Sequence, residues 1–181
     1  MFQKIKHKLP KFSNNLSLTG FVLTDFIESC FYSDRLKQII FRFEVNILAD
    51  NEEIIKIIEI LFESGITKDL SKLREIHLDD PKFSSFSDLP PYDLKDYQTT
   101  IELEELRFIS ISDYSYEIKN PKISIFENFA IVALELIQKG MLVDNKAYTG
   151  EHIVINGRAT FVLVKQPTWK IAHIHLSKID K

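Results

Sequence analysis

The sequence predicts an α+β domain in which a curved antiparallel sheet lies over helices, preceded by an N-terminal extension. Three observations carry this expectation. A 3.6-residue hydrophobic period runs through Ile54, Ile57, Ile58 and Leu61. Strand-type runs fill the chain from Tyr114 onward, separated by turn signals at Glu127–Asn128, Asp144–Lys146 and Gln166–Thr168. The 181 residues are 45% hydrophobic with five Gly and six Pro, enough apolar material for one full core and too little Gly and Pro for a low-complexity chain.

The elements follow in order. Residues 1–13 read as a solvated basic lead-in, and Leu16, Leu18, Gly20 and Val22 then share a strand parity. Asp25 to Lys37 reads as a short helix capped by Thr24, pairing Phe26 with Cys30 and Ile27 with Phe31. From Ile39 to Ile47, apolar residues alternate with Ile40, Arg42, Glu44 and Asn46, which predicts a half-buried strand. At Asp50 the period switches. Asp50 and Glu53 have capping-box spacing, so a helix is expected to begin there and to end with Gly65 at C′. These assignments divide the chain into an extension, residues 1–48, and a main domain, residues 49–181.

A second short helix carries Leu70, Leu73, Ile76 and His77 on one stripe, and Pro81 stops it. Lys82 to Phe86 reads as a short strand, Ser87 to Asp93 with Pro90–Pro91 as a rigid loop, and Tyr97 to Ile109 as a third helix. Pro121 interrupts the run from Tyr114 to Glu127, which places that strand at an edge or a bulge. Phe129 to Met141 is almost wholly apolar and reads as a central strand. Tyr148 to Lys165 and Trp169 to Ile179 supply the last two.

Charge and cysteine content narrow the function classes. The net charge of -3 divides into +3 over residues 1–48 and -6 over the rest, giving no electrostatic reason to expect a nucleic-acid partner. A single cysteine, Cys30, excludes an internal disulfide framework and a cysteine-rich zinc site, and reads as a small core residue. No stretch approaches about 18 uncharged apolar residues, and Asp25 and Glu28 interrupt the most apolar early segment. No membrane partner and no cleaved signal are expected, and the expected location is the cytoplasm.

The stretch Gly157-Arg-Ala-Thr-Phe-Val-Leu-Val-Lys165, a short turn, then Trp169-Lys-Ile-Ala-His-Ile-His-Leu-Ser177 resembles the C-terminal hairpin of SnoaL-like proteins. These belong to the nuclear-transport-factor-2-like superfamily of cystatin-like α+β cones. The similarity continues at Leu78-Asp-Asp-Pro-Lys-Phe83 and Pro90-Pro-Tyr-Asp-Leu94, and covers about residues 50–178. It implies a bent sheet wrapped around three helices with a pocket at the wide end, and no cofactor. Two functions follow as expectations. One is binding of a small apolar or oxygenated molecule, with cofactor-free acid–base chemistry of the isomerase, dehydratase or cyclase type. The other is a non-catalytic homodimeric module; fold alone does not choose between them.

Candidate site residues come with competing roles. On the last strand Trp169, Ile171, His173, His175 and Ser177 share one parity. His173 and His175 at i,i+2 suit a chelating pair, but no third ligand has a fixed spacing to them, Glu151 and His152 being tied there by nothing. No metal is expected; His173 and His175 are taken as pocket-lining or structural, with His175 also a catalytic candidate. Tyr92 either lines the cavity or packs on Pro90 at the surface, and Tyr97 joins it as a ligand-binding candidate. His77 is either a near-neutral acid or base or a satisfied histidine at a helix end. Asp79 and Asp80 serve the turn before Pro81 in preference to catalysis. Glu135, alone in the apolar run Ala130 to Ile137, faces either the cone or a dimer partner and is a secondary catalytic candidate. Arg158 and Thr160 share a parity and suit a carboxylate-bearing ligand, or Arg158 is merely exposed. Glu102, Glu104 and Glu105 read as a solvated helix face.

Overall fold

The computed structural model describes residues 34–144 and 149–179. The chain divides into two compact units, residues 1–44 and 45–181. The strand expected at Leu16–Val22 and most of the helix expected from Asp25 lie outside the described residues.

Helix α1 spans Asp34–Thr67 without a break. This corrects two expectations, a strand over Ile39–Ile47 and a helix beginning at Asp50. The alternating segment also holds helical spacing, with Ile40, Phe43 and Ile47 at i, i+3 and i+7. No Gly or Pro falls between Asp34 and Glu63, and extending an existing helix needs no new nucleus. Asp50 therefore caps nothing. Its carboxylate accepts hydrogen bonds from the Trp169 indole at 3.0 Å and from Lys165. Ile54, Ile57, Ile58 and Leu61 are buried, as their period requires.

The end of α1 also differs from expectation. The helix runs two residues past Gly65, and Lys68 takes the left-handed conformation (φ 61°), its N–H donating to the Ser64 carbonyl. Gly65 answers to packing instead, since a Cβ there would stand 2.6 Å from the Phe108 ring and 2.7 Å from the Tyr114 ring. The Lys68 ammonium reaches across to the carbonyls of Phe108 and Ile111, capping the next long helix at its C-terminus.

Helix α2 (Ser71–Ile76) and strand β1 (Ser84–Phe86) lead to helix α3 (Tyr97–Ser110), whose N-cap Asp96 accepts from the Thr99 N–H at 2.9 Å. Four long strands follow: β2 (Ile111–Phe126), β3 (Phe129–Asp144), β4 (Thr149–Gln166) and β5 (Thr168–Lys178). They form an antiparallel meander, and β1 adds parallel to β5, giving a five-stranded, curved and unclosed sheet of order β1-β5-β4-β3-β2. The expected tip at Glu127–Asn128 joins β2 to β3, with Glu127 at φ 49°. The expected break at Pro121 is a register shift between Lys119 and Lys122, where Asn120 turns left-handed (φ 49°) on the edge strand. Among the described residues no helix is long and apolar enough to cross a membrane.

One face of the sheet carries Val132, Leu134, Leu136, Ala159, Phe161 and Leu163 and packs with the apolar stripes of α1, α2 and α3. On β5 the facing changes partway. Val162 pairs with His173 while Leu163 pairs with Ile171, so Ala172 is an extra residue. Trp169 and Ile171 before it and Ile174 after it all point inward, and all three are buried. The single parity read from Trp169 to Ser177 is thereby broken: His173 and His175 lie on the opposite face from Trp169 and Ile171.

Candidate functional site

A cavity of about 560 Å³ lies between α3 and the inner face of the sheet, a volume suited to a small organic molecule. Its floor is buried and apolar, built from Leu61, Phe62, Phe108, Ile111, Ile155 and Ile174. Leu89, Leu106, Leu142 and Val154 line its mouth and are exposed.

Helix α3 supplies one group of the polar residues of the wall. Thr100, Glu104, Arg107 and Phe108 fall at i, i+4, i+7 and i+8, one helical face, and all four line the cavity. Glu102 is exposed, but Glu104 turns inward with a side chain only 15% exposed. The solvated-face reading thus fails for Glu104, because the helix rotates it onto the stripe of Ile101 and Phe108.

Behind Glu104 stands His77, at the C-terminal end of α2. Its Nδ1–H donates to the Leu73 carbonyl at 2.6 Å, which leaves Nε2 facing Glu104 Oε2 at 3.4 Å. Neither of these two atoms reaches solvent or a hydrogen-bond partner. The contact is long for a hydrogen bond, and we treat it as an ion pair. Burial, the largest influence, lowers the pKa of His77. The Glu104 charge and the Leu73 carbonyl together outweigh it and hold the imidazole above its ordinary value.

Arg107 forms a two-pronged pair with Asp88, Nη1–Oδ1 2.8 Å and Nη2–Oδ2 3.2 Å, and so fastens the loop after β1 to α3. Lys95, also on the wall, is only 4% exposed, and its ammonium is taken up by the Pro91 and Asp93 carbonyls and the Asp93 carboxylate. The charges of Glu104, Arg107 and Lys95 thus each face a counter-charge within this wall. The Ser85 hydroxyl, also buried in the lining, bonds that of Thr100 at 2.6 Å, and Gln138 on β3, 4% exposed, accepts the Tyr114 hydroxyl at its Oε1 at 2.8 Å. Burial raises the Tyr114 pKa far above the ordinary phenol value, so the hydroxyl keeps its proton.

The residues expected from the sequence are placed as follows. His77 is buried behind the wall and touches the cavity's Glu104 without lining the cavity itself. Tyr92 is 67% exposed in the loop after β1, and Tyr97 packs edge-on against Phe83; neither lines the cavity. Glu135, Arg158, Thr160, His173 and His175 lie on the outer face of the sheet. Glu135 pairs in register with Arg158, and Thr160 with His175. There the His173 ring bonds the Ser84 hydroxyl at 2.8 Å, and the Phe86 ring sits 5.5 Å from that of His175. Burial first, and then the nearby His175, lower the pKa of His173. Among the described residues no three His, Cys, Asp or Glu side chains are grouped to hold a metal ion.

Sequence reasoning missed Glu104, Arg107 and Gln138. A signal for Gln138 was present: it continues the inward parity of Ala130, Val132, Leu134 and Leu136 as a polar residue among apolar ones.

The SnoaL-like domain matches residues 54–181, the whole segment that carries this cavity and its walls. The chain belongs to the SnoaL-like domain family. Solved structures agree on the fold of this SnoaL-like chain. A nuclear transport factor 2 (NTF2-like) superfamily protein from Salmonella enterica serovar Typhimurium matches with TM-score 0.61 and 19% identity, over 74% of this chain and 93% of that one. A protein from Streptomyces avermitilis, named as a candidate dehydratase of the NTF2-like family, matches with TM-score 0.63 and 15% identity over 74% and 99%. The association domain of C. elegans CaMKII matches with TM-score 0.54 and 21% identity over 72% and 96%. No curated protein matches the sequence.

Proposed function

We propose that this SnoaL-like protein binds a small, largely apolar, oxygenated molecule in the cavity and performs cofactor-free acid–base chemistry on it with Glu104. One observation carries the reading. Glu104 lines a cavity with an apolar floor while its Oε2 is buried against His77. A carboxylate held by one oxygen leaves the other for a ligand proton, which is the arrangement that isomerase, dehydratase or cyclase chemistry needs. His77 is a positioning residue in this scheme, since it acts through Glu104.

The test uses 2-tetralone, a ketone with exchangeable α-protons, followed by NMR in heavy water. The protein should accelerate α-proton exchange, and Glu104→Gln should cut that acceleration by about a hundredfold or more. Filling the floor with Ile155→Trp should abolish it. Equal acceleration by all three proteins would place the chemistry elsewhere.

We propose a homodimer as a second reading, favoured by the outer face of the sheet. Phe126 and Phe129 stack there with ring centres 5.0 Å apart, and with Ile131 they remain exposed beside half-buried Val162 and Val164. Light scattering should give a dimer for the native chain and a monomer for Ile131→Glu; a monomeric native chain removes this reading. We place the protein in the cytoplasm, a reducing compartment that suits a chain with one cysteine.

A further inference from the structure

The wall opposite Glu104 holds a polar group that the proposed chemistry does not use. Gln138 is the polar member of the inward row on β3, 4% exposed, and it lines the cavity. A primary amide has an acceptor end and a donor end, and the structure fixes which faces the ligand. Tyr114 is buried, keeps its phenolic proton, and must donate it to remain satisfied. It donates to Gln138 Oε1 at 2.8 Å. The amide nitrogen is left with its two N–H groups, and Nε2 has no partner among the described residues.

The surrounding charges narrow what those N–H groups meet. Arg107 is engaged at both Nη atoms by Asp88, its unpartnered Nε being buried out of reach of solvent, and Lys95 by Asp93 and two carbonyls. An anion entering the floor would find these two cations already committed, while the other basic lining residues, His152 and Lys178, are exposed to solvent. Gln138 and Glu104 line the same cavity, so the amide and the Glu104 carboxylate serve one space.

We infer that Gln138, oriented by Tyr114, is the recognition donor of this cavity and that the ligand is an uncharged carbonyl compound whose oxygen accepts from Gln138 Nε2. The inference rests on the cavity being the ligand site and adds the ligand's chemical class. Gln138 contacts the ligand; Tyr114 is a positioning residue. A buried donor left unpaired is costly, so such a site rejects an analogue that lacks the acceptor far more strongly than one of altered size.

The experiment uses a matched pair of probes, 2-acetylnaphthalene and 2-ethylnaphthalene, which differ mainly in the ketone oxygen. Affinities are measured by displacement of the uncharged dye Nile red. The native protein should favour the ketone by about tenfold or more. Gln138→Leu should bring the ratio to near one, chiefly by weakening the ketone. Tyr114→Phe, which removes only the hydroxyl behind the amide, should lower the ratio without abolishing binding of the hydrocarbon. A purely structural role for Tyr114 would shift both affinities together. Equal binding of the two probes to the native protein, with Ile155→Trp excluding both, would overturn the donor assignment and leave the cavity reading standing. Failure of the native protein to bind either probe would overturn both.

Discussion

Replacing Gly65 by alanine sets two known effects against each other. In a helix interior alanine is favoured over glycine by about 0.8–1 kcal/mol. The new Cβ would stand 2.6 Å from Phe108 Cδ1 and 2.7 and 2.8 Å from two Tyr114 ring carbons. Those rings pack edge-on with centres 5.4 Å apart, and both are buried, Phe108 2% and Tyr114 6% exposed. Neither is the free end of a flexible side chain, so α1 or both rings must move, and overpacking of this kind costs about 1–3 kcal/mol. The clash should outweigh the helix gain in most of that range, for a net loss between about 0 and 2 kcal/mol, near 1 at its middle. Urea unfolding followed by circular dichroism measures it, as a lower midpoint with an unchanged slope. Phe108 also lines the cavity, so the same variant should change probe affinity. A variant stabilised by half a kcal/mol or more, with native probe binding, would refute the reasoning.

Two further predictions concern pH. The His77 pKa is raised in the folded state, so its contribution is complete below the unfolded value of about 6.5 and is lost as pH climbs through the folded value. Thermal melts from pH 6 to pH 9 should show a decline that His77→Gln flattens; parallel curves would remove the ion pair from the account. At Asp50 burial would raise the pKa, but the hydrogen bonds from Lys165 and Trp169 and the Lys165 charge leave it lowered. That contribution is present above about pH 4 and is lost as pH falls through the folded value. Asp50→Asn should therefore destabilise the protein at pH 7 by about 1 kcal/mol and do less at pH 3; an equal effect at both would show that the charge is irrelevant.

Much of the sheet was legible because its signals are local. The tip at Glu127–Asn128, the break at Pro121 and the turn before Trp169 each follow from the chemistry of two or three neighbouring residues. The long α1 was not legible over Ile39–Ile47, since an apolar alternation that includes i, i+3 and i+7 neighbours satisfies both periods. The cavity wall is less legible in the sequence than the fold, for reasons of facing. Glu135 stands out in the sequence as a lone acid in an apolar run, yet a strand's two faces alternate, and the inward row belongs to its even-numbered neighbours, with Gln138 among them. Glu104 looked solvated beside Glu102 and Glu105. Only the rotation of α3, set by burying Ile101 and Phe108, separates it from them.

The extra residue at Ala172 gives β5 a particular mutational grammar. Because it absorbs one step of the alternation, deleting it would leave Trp169 and Ile171 on one side of the break, and Ile174 and Leu176 on the other, facing as they do now. Inserting a residue elsewhere in the strand, where no bulge takes it up, would turn every later side chain over, exchanging the outward histidine at 175 for the cavity-lining leucine at 176. In this strand a change of length at one point is silent. A few residues further on, an insertion would rewrite the cavity wall without a single substitution.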